Sequence, residues 1–186
     1  MVALAGASFF GQKAPMTLCK SLVEQLRSRL AEDAAIAVRA GEAAKSAAQN
    51  SVSAMEKRQD SRTMMEQGNM AFAQAKRARQ ALGWIQALDS FSGRGFSAYG
   101  RGSPVGLGAV IDAMSEDERG EYSRTFVMLP VGAGEELSGP NGDGIITVLT
   151  PESPVGKAML GKHAGDVAEV TLNREPVEWE ILEVSA

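Results

Sequence analysis

Glu56 and Asp60 are the pair of carboxylates whose spacing suits them for chemistry. Four residues apart, they share one face wherever the segment is helical. Lys57, Arg58 and Arg62 stand among them, a set that can grip phosphate or partner carboxylates. One or two carboxylates with water hold a hard cation such as Mg²⁺ only weakly. The same residues also read as a solvated, charge-mixed helix start with no chemistry at all. Elsewhere the reactive residues are few. The sole histidine, His163, follows Lys162 in a turn, with no cysteine or second histidine beside it, so a zinc site or a nucleophilic constellation is excluded. The single cysteine, Cys19, cannot form an internal disulfide and reads as a helix-start residue in a reducing compartment. "SGPNGDG" has no Lys-Ser/Thr after it, and "GSPVGLG" runs into a strand, so neither is a phosphate loop.

The acids lie between two long segments of helical period. Residues 18 to 50 contain no proline, and Val23, Leu26, Leu30, Ala37, Ala40, Ala44 and Ala47 mark an apolar seam interrupted by Asp33. Thr17 is the candidate cap. In residues 60 to 88, Met64, Gly68, Ala71, Ala75, Ala78, Leu82, Ile85 and Leu88 repeat the stripe. Two such helices around a polar break predict an antiparallel coiled-coil hairpin over residues 16–89, its tip near 50–60. About 30 residues at ~1.5 Å each give a finger of about 45 Å. Large side chains gather at its base and alanines toward its tip, so packing weakens outward. The alternative is a coiled coil formed in trans.

Residues 1–15 read as a flexible extension. Their apolar stretch precedes the first charge, Lys13, the reverse of a secretory leader. No run is long enough to span a membrane, and a cytoplasmic monomer is the expectation. Residues 90–103, "SFSGRGFSAYGRGS" from Ser90, form a Gly/Ser linker in which Phe96 and Tyr99 can dock on a module.

The charge changes sign along the chain. Residues 1 to 90 hold 12 Lys/Arg and 8 Asp/Glu, net +4; residues 91 to 186 hold 7 and 15, net −8; the sum is the overall −4. An acidic second module is a poor general binder of nucleic acid. From Pro104 the period falls to two. Strands are expected at "GAVIDAM", "YSRTFVMLP", "IITVLT", Val167 to Leu172 and Val177 to Val184, with "EDERG" and "SGPNGDG" as turns. Ser153 caps a short helix starting at Pro154 and ending at Gly161. Its stripe of Val155, Met159 and Leu160 faces Trp179 and Ile181. The fold class is α+β: a helical hairpin plus a mainly antiparallel sheet of four or five strands with one short helix.

Thr150-Pro151, Ser153-Pro154, "GKAMLGKHAGDVAEV" and the closing "EWEILEV" follow the order and spacing of a known signature. On these residues the second module, 104–186, resembles the C-terminal domain of the bacterial transcript-cleavage and elongation factors GreA and GreB. The first module resembles that family's N-terminal coiled coil mainly in architecture, with "PMT" at 15 to 17 similar to the usual family start. The resemblance implies an FK506-binding-protein-like fold for the second module. It also implies transcription elongation and regulation, DNA binding, and binding to bacterial RNA polymerase at its secondary channel, near the nascent RNA 3′ end. Ser153, Pro154, Lys157, Gly161, Lys162, Gly165 and Asp166 are the implied docking residues. The family's tip acids form Asp-x-x-Glu-Asn and help hold an Mg²⁺ shared with polymerase, the protein itself carrying no cofactor. Here Ser53-Ala54-Met55-Glu56 aligns with Asp-x-x-Glu and Lys57 with Asn. Glu56 is kept, Ser53 replaces the first acid, and Asp60 substitutes only if the tip turns differently. The resemblance therefore implies rescue or modulation of paused and backtracked complexes, with weakened stimulation of polymerase's own transcript hydrolysis and no intrinsic enzyme activity. The readings from other classes are a prolyl isomerase-like or peptide-binding module and a structural coiled-coil scaffold.

Overall fold

The computed structural model describes residues 15–50, 60–100, 102–117, 120–172 and 174–186. Helix α1 spans Pro15–Asn50 and α2 spans Asp60–Gly93. Pro15 occupies the first helical position, where a missing N–H is harmless, so the expected cap Thr17 lies inside the helix. Strands β1 (Val110–Asp117), β2 (Gly120–Met128), β3 (Glu136–Ser138), β4 (Ile145–Leu149), β5 (Val167–Leu172) and β6 (Glu175–Ser185) form one sheet, and the short helix α3 covers Pro154–Met159. Among the described residues, no helix is long and apolar enough to cross a membrane. The chain divides into two compact units, Gln25–Ser90 and the remainder.

In the helical unit, Arg27 pairs with Asp89 at 2.8 Å, and a Cβ on Gly41 would stand 3.6 Å from the Gln74 Cβ and 3.8 Å from the Ala71 carbonyl oxygen. Later residues of α1 thus meet earlier residues of α2, and the two helices run antiparallel. The buried stripe differs from the expected one. Leu26, Leu30, Ala34 and Ala37 are buried, and Asp33 is exposed outside the stripe. Two successive four-residue steps, Leu26 to Leu30 to Ala34, rotate the stripe past Asp33. In α2 the buried face runs through Ala78, Ala81 and Leu88, leaving Leu82 51 % exposed. Ala47, expected in the seam, is exposed. Trp84 is half-buried and lines a shallow groove with Leu30, Ile36, Ala37 and Arg77. Alanines bring the backbones close but remove little apolar area per turn from water.

The sheet order is β3-β4-β2-β1-β6-β5. It has six strands where four or five were expected, and it is mainly antiparallel as expected, with one parallel pair, β2 with β4, that makes it mixed. A parallel partner needs a crossover of a dozen or more residues; the segment from Leu129 to Gly144, which carries β3, supplies it. Sequence patterning passed over β3 because only Leu137 of its three residues is apolar and buried. "SGPNGDG" does turn the chain, through a 3₁₀ helix at Pro140–Gly142.

Both faces of the sheet are covered where β1, β2 and β4 meet. On one, Ile111 pairs with Phe126 and Val184 within a core that includes Met128, Leu149, Met159, Trp179 and Ile181. On the other, Val110, Val127 and Val148 stand side by side and are all buried. That is why Val127 and Phe126, adjacent residues pointing opposite ways, are both apolar. Trp179 meets Phe126 and Tyr122 edge-on at centroid separations of 5.1 and 5.5 Å. Ser115, opposite Tyr122, is buried; its Oγ and the Trp179 Nε1 have no hydrogen-bond partner.

The Gly/Ser stretch joins this unit. Ser90–Gly93 of the expected linker are still helical. Phe96 meets Phe91 edge-on at 5.5 Å, and the Tyr99 hydroxyl donates to the Leu107 carbonyl at 2.8 Å. Gly108, at φ +94, lets Phe91 and Cys19 approach; a Cβ there would stand 3.3 Å from Phe91 and 3.8 Å from the Cys19 Sγ. Cys19 is wholly buried, and this burial pushes its thiol up to about 12.

Two outcomes follow from this packing. Gly83 lies inside α2 and a Cβ on it meets nothing within 4 Å, so Gly83→Ala should stabilise the helical unit by about 0.5–1 kcal/mol in urea unfolding. For Cys19 the folded pKa lies above the unfolded value, so the neutral thiol's contribution is complete below roughly pH 8.5. It is then lost as pH rises through about 12. Stability should therefore fall more steeply above pH 9 in the wild type than in Cys19→Ala, a difference isolated by parallel pH titrations of the unfolding midpoint.

Candidate functional site

The expected tip residues Ser53, Glu56, Lys57 and Arg58 lie outside the described residues. Asp60 and Arg62 fall in the first turn of α2, and their side chains are also outside the described set. Among the described residues, no group of three or more His, Cys, Asp or Glu side chains is placed to hold a metal ion.

The second candidate is built around the start of α3. β4 ends at Leu149, and Thr150-Pro151-Glu152 turns the chain into Ser153, whose extended backbone (φ −69, ψ 151) caps the helix. Its Oγ accepts from the Gly156 N–H and the Thr150 N–H, each at 3.2 Å, and donates to the Thr150 carbonyl at 2.8 Å. The Ser153 N–H also donates to that carbonyl, at 3.0 Å. Pro154 follows at the first helical position, where its ring fits the helical φ. A methyl group on Gly156 would overlap the Thr150 carbonyl oxygen, so the turn closes only around glycine. That requirement went unread in the sequence; the signal for it is a glycine two residues after a Ser-Pro cap.

The exit of α3 is held as firmly. Gly161 takes φ +79, as expected for a helix end. Its N–H donates to the Val105 carbonyl at 2.9 Å, while the Val105 N–H donates to the Lys162 carbonyl at 2.7 Å. Asp166 accepts the His163 N–H through Oδ2 at 2.7 Å, and the Gly165 N–H donates to the Ile181 carbonyl at 2.7 Å. Met159 is wholly buried in the core with Trp179 and Ile181 as expected, but Leu160 is 45 % exposed; the half-buried Val155 and Ala158 pack on the core instead. The helix ends at Met159, so Leu160 leaves the stripe.

The expected docking residues thus divide by role. Ser153, Gly161, Gly165 and Asp166 hold the loops in shape. Pro154 and Lys157 face solvent, and Lys162 is half-buried. Glu152, missed by sequence reasoning, is exposed beside them, its carboxylate 3.5 Å from the Lys157 Nζ. Together they present a proline ring and a loose ion pair on a rigid support.

Residues 102–186, which hold this turn, match the family model described as "Transcription elongation factor, GreA/GreB, C-term". The chain's C-terminal domain belongs to the GreA/GreB family. Solved structures similar to the chain include GreA factor homolog 1 (Gfh1) of Thermus thermophilus, at 19 % identity over 94 % of this chain and 96 % of that one, TM-score 0.33. Another, of the transcription factor Gfh1, has 21 % identity over the same shares, TM-score 0.36. Thermus aquaticus Gfh1 has 21 % identity over 91 % of this chain and 97 % of that one, TM-score 0.34. No curated protein matches the sequence.

Within this GreA/GreB domain the cap is the point to test. Ser153→Ala should cost about 1 kcal/mol, whereas Gly156→Ala should cost at least ~2 kcal/mol because the obstacle is backbone. Urea unfolding of both variants followed by Trp179 emission reads the two values; equal effects would contradict the close approach at Gly156.

Proposed function

We propose that this protein binds bacterial RNA polymerase at the secondary channel and regulates paused or backtracked transcription complexes. The observation that carries the reading is the GreA/GreB domain match over residues 102–186, on a chain that also contains two long antiparallel helices. In this proposal the α3 end of the FK506-binding-protein-like domain docks on polymerase through Pro154, Lys157 and Lys162, with Ser153, Gly161, Gly165 and Asp166 keeping them in place. The helical pair acts as the family's coiled coil and brings the segment containing Glu56 toward the active centre.

Transcript hydrolysis there would be metal-assisted, Mg²⁺ held by polymerase supplying activation of water and charge stabilisation at the leaving oxygen. The chain's contribution would be the carboxylate of Glu56, with Asp60 as second candidate. Ser53 brings no charge to the position of the first acid, and Lys57, Arg58 and Arg62 repel a cation. We therefore infer a factor that occupies the channel and modulates the complex while stimulating cleavage weakly.

The prolyl isomerase reading loses its support in the core. Phe126 and Trp179 are 3 and 5 % exposed, and Tyr122 packs edge-on against Trp179. An open aromatic pocket is not what these rings form.

Backtracked complexes incubated with the protein at several Mg²⁺ concentrations should release little cleaved RNA at low Mg²⁺ and more as the concentration rises. Cleavage as fast as with an ordinary GreA, and lost in Glu56→Ala, would reject the weak-cleavage reading. No binding of polymerase would reject the whole proposal.

A further inference from the structure

We propose that the free edge of β5 binds an extended segment of another protein, with basic and apolar residues in alternation, as an added strand. β5 ends the sheet, and its one ladder partner is β6. The Ile181 N–H donates to the Asp166 carbonyl at 2.9 Å, and this bond sets the alternation along the ladder. Ala168, Val170 and Leu172, in step with Asp166, bond to β6. Val167, Glu169 and Thr171 turn their N–H and C=O groups outward. Pro176 stands opposite Thr171, one of the positions where the β5–β6 ladder requires no N–H. Among the described residues, no other backbone hydrogen bond reaches residues 167 to 172.

Such edges are usually blunted by proline, lysine, a bulge or extreme shortness. β5 contains neither proline nor lysine, and its six-residue register with β6 is unbroken. The opposite edge strand, β3, is only three residues long. The hydrogen-bonding capacity for an added strand is therefore concentrated on β5.

Charge then selects the occupant. Glu169 stands directly opposite Glu178, and Glu116 directly opposite Glu121. All four are exposed. The β1–β6 ladder ends at Met114 and Glu180, and strand alternation then puts Glu116 and Glu178 on the same face of the sheet. Two carboxylate pairs, Glu121 with Glu116 and Glu178 with Glu169, thus share one face, and the second pair stands at the open edge. Directly opposed like charges are unfavourable, and no basic residue of these strands shares their face. Arg124 lies on the other face, 5.9 Å from the Tyr122 ring centroid. A residue opposite Glu169 on an added strand stands next to the second pair, so a lysine or arginine is favoured there. Its neighbours turn to the other face, beside buried Ala168 and half-buried Val170, and are favoured apolar. A second copy fits poorly, because antiparallel self-pairing centred on β5 sets Glu169 against Glu169.

The test uses the full chain and two labelled eight-residue peptides, one alternating Lys and Val, the other Glu and Val. The Lys-Val peptide should bind at least tenfold more tightly, lose affinity as salt rises, and slow hydrogen exchange at the Val167, Glu169 and Thr171 amides. Thr171→Pro removes an outward N–H without breaking a β6 bond, and should weaken Lys-Val binding at least tenfold while keeping the wild-type melting temperature. Should that variant fold poorly, Glu169→Gln combined with Glu178→Gln provides the second reading: it should erase the preference for the Lys-Val peptide. Equal affinity for the two peptides, binding without protection of those three amides, or self-association through β5 in the absence of peptide would each overturn the proposal.

Discussion

The carbonyl oxygen of Thr150 is the point on which the sheet domain turns. It receives the Ser153 hydroxyl and the Ser153 N–H, and it leaves no room for a side chain on Gly156. The chain must leave β4, reverse, and start a helix within four residues, and the cap does this with one serine and one glycine. Because that helix is short, a small error in its first turn would carry through to Met159 at its far end. Met159 fills the core beside Trp179 and Ile181, so the capping geometry and the packing of the sheet are one mechanical unit. The exposed Pro154 and Lys157 inherit their positions from it.

Much of this domain was readable because its signals are local. Ser153, Pro154 and Gly161 have distinct backbone preferences, and alternating apolar residues mark β1, β2, β5 and β6. What was not readable depends on partners distant in sequence. Nothing within β2 or β4 states that they run parallel, and Leu137 alone cannot announce a strand. In the helices the difficulty was different. With alanine at so many positions, Ala34 and Ala81 compete on equal terms with the neighbours that periodicity favoured. The buried stripe is then decided by the larger side chains, Leu26 and Leu30 at one end and Leu88 at the other. Of the candidate site, the α3 turn was visible in the sequence because it is made of special residues. The tip was visible only as charge, and charge at a spacing of four is common on any helix.

The two units solve the problem of stability differently. The sheet domain covers both faces of its central strands and concentrates its aromatic rings around Trp179. It even tolerates two buried polar atoms, on Ser115 and Trp179, without partners. The helical unit relies on backbone proximity and a few leucines, with several large apolar side chains, among them Ile36, Phe72 and Leu82, left exposed.

The placement of the two tryptophans has a practical consequence. Trp84 is half-buried beside Ile36 and Arg77 in the helical unit; Trp179 is 5 % exposed in the core of the other. An indole that sees water emits at longer wavelength than one held among hydrocarbon. Each unit therefore contains its own natural fluorophore, at a different colour, and replacing either tryptophan by phenylalanine leaves the other as a single optical window on its half of the chain.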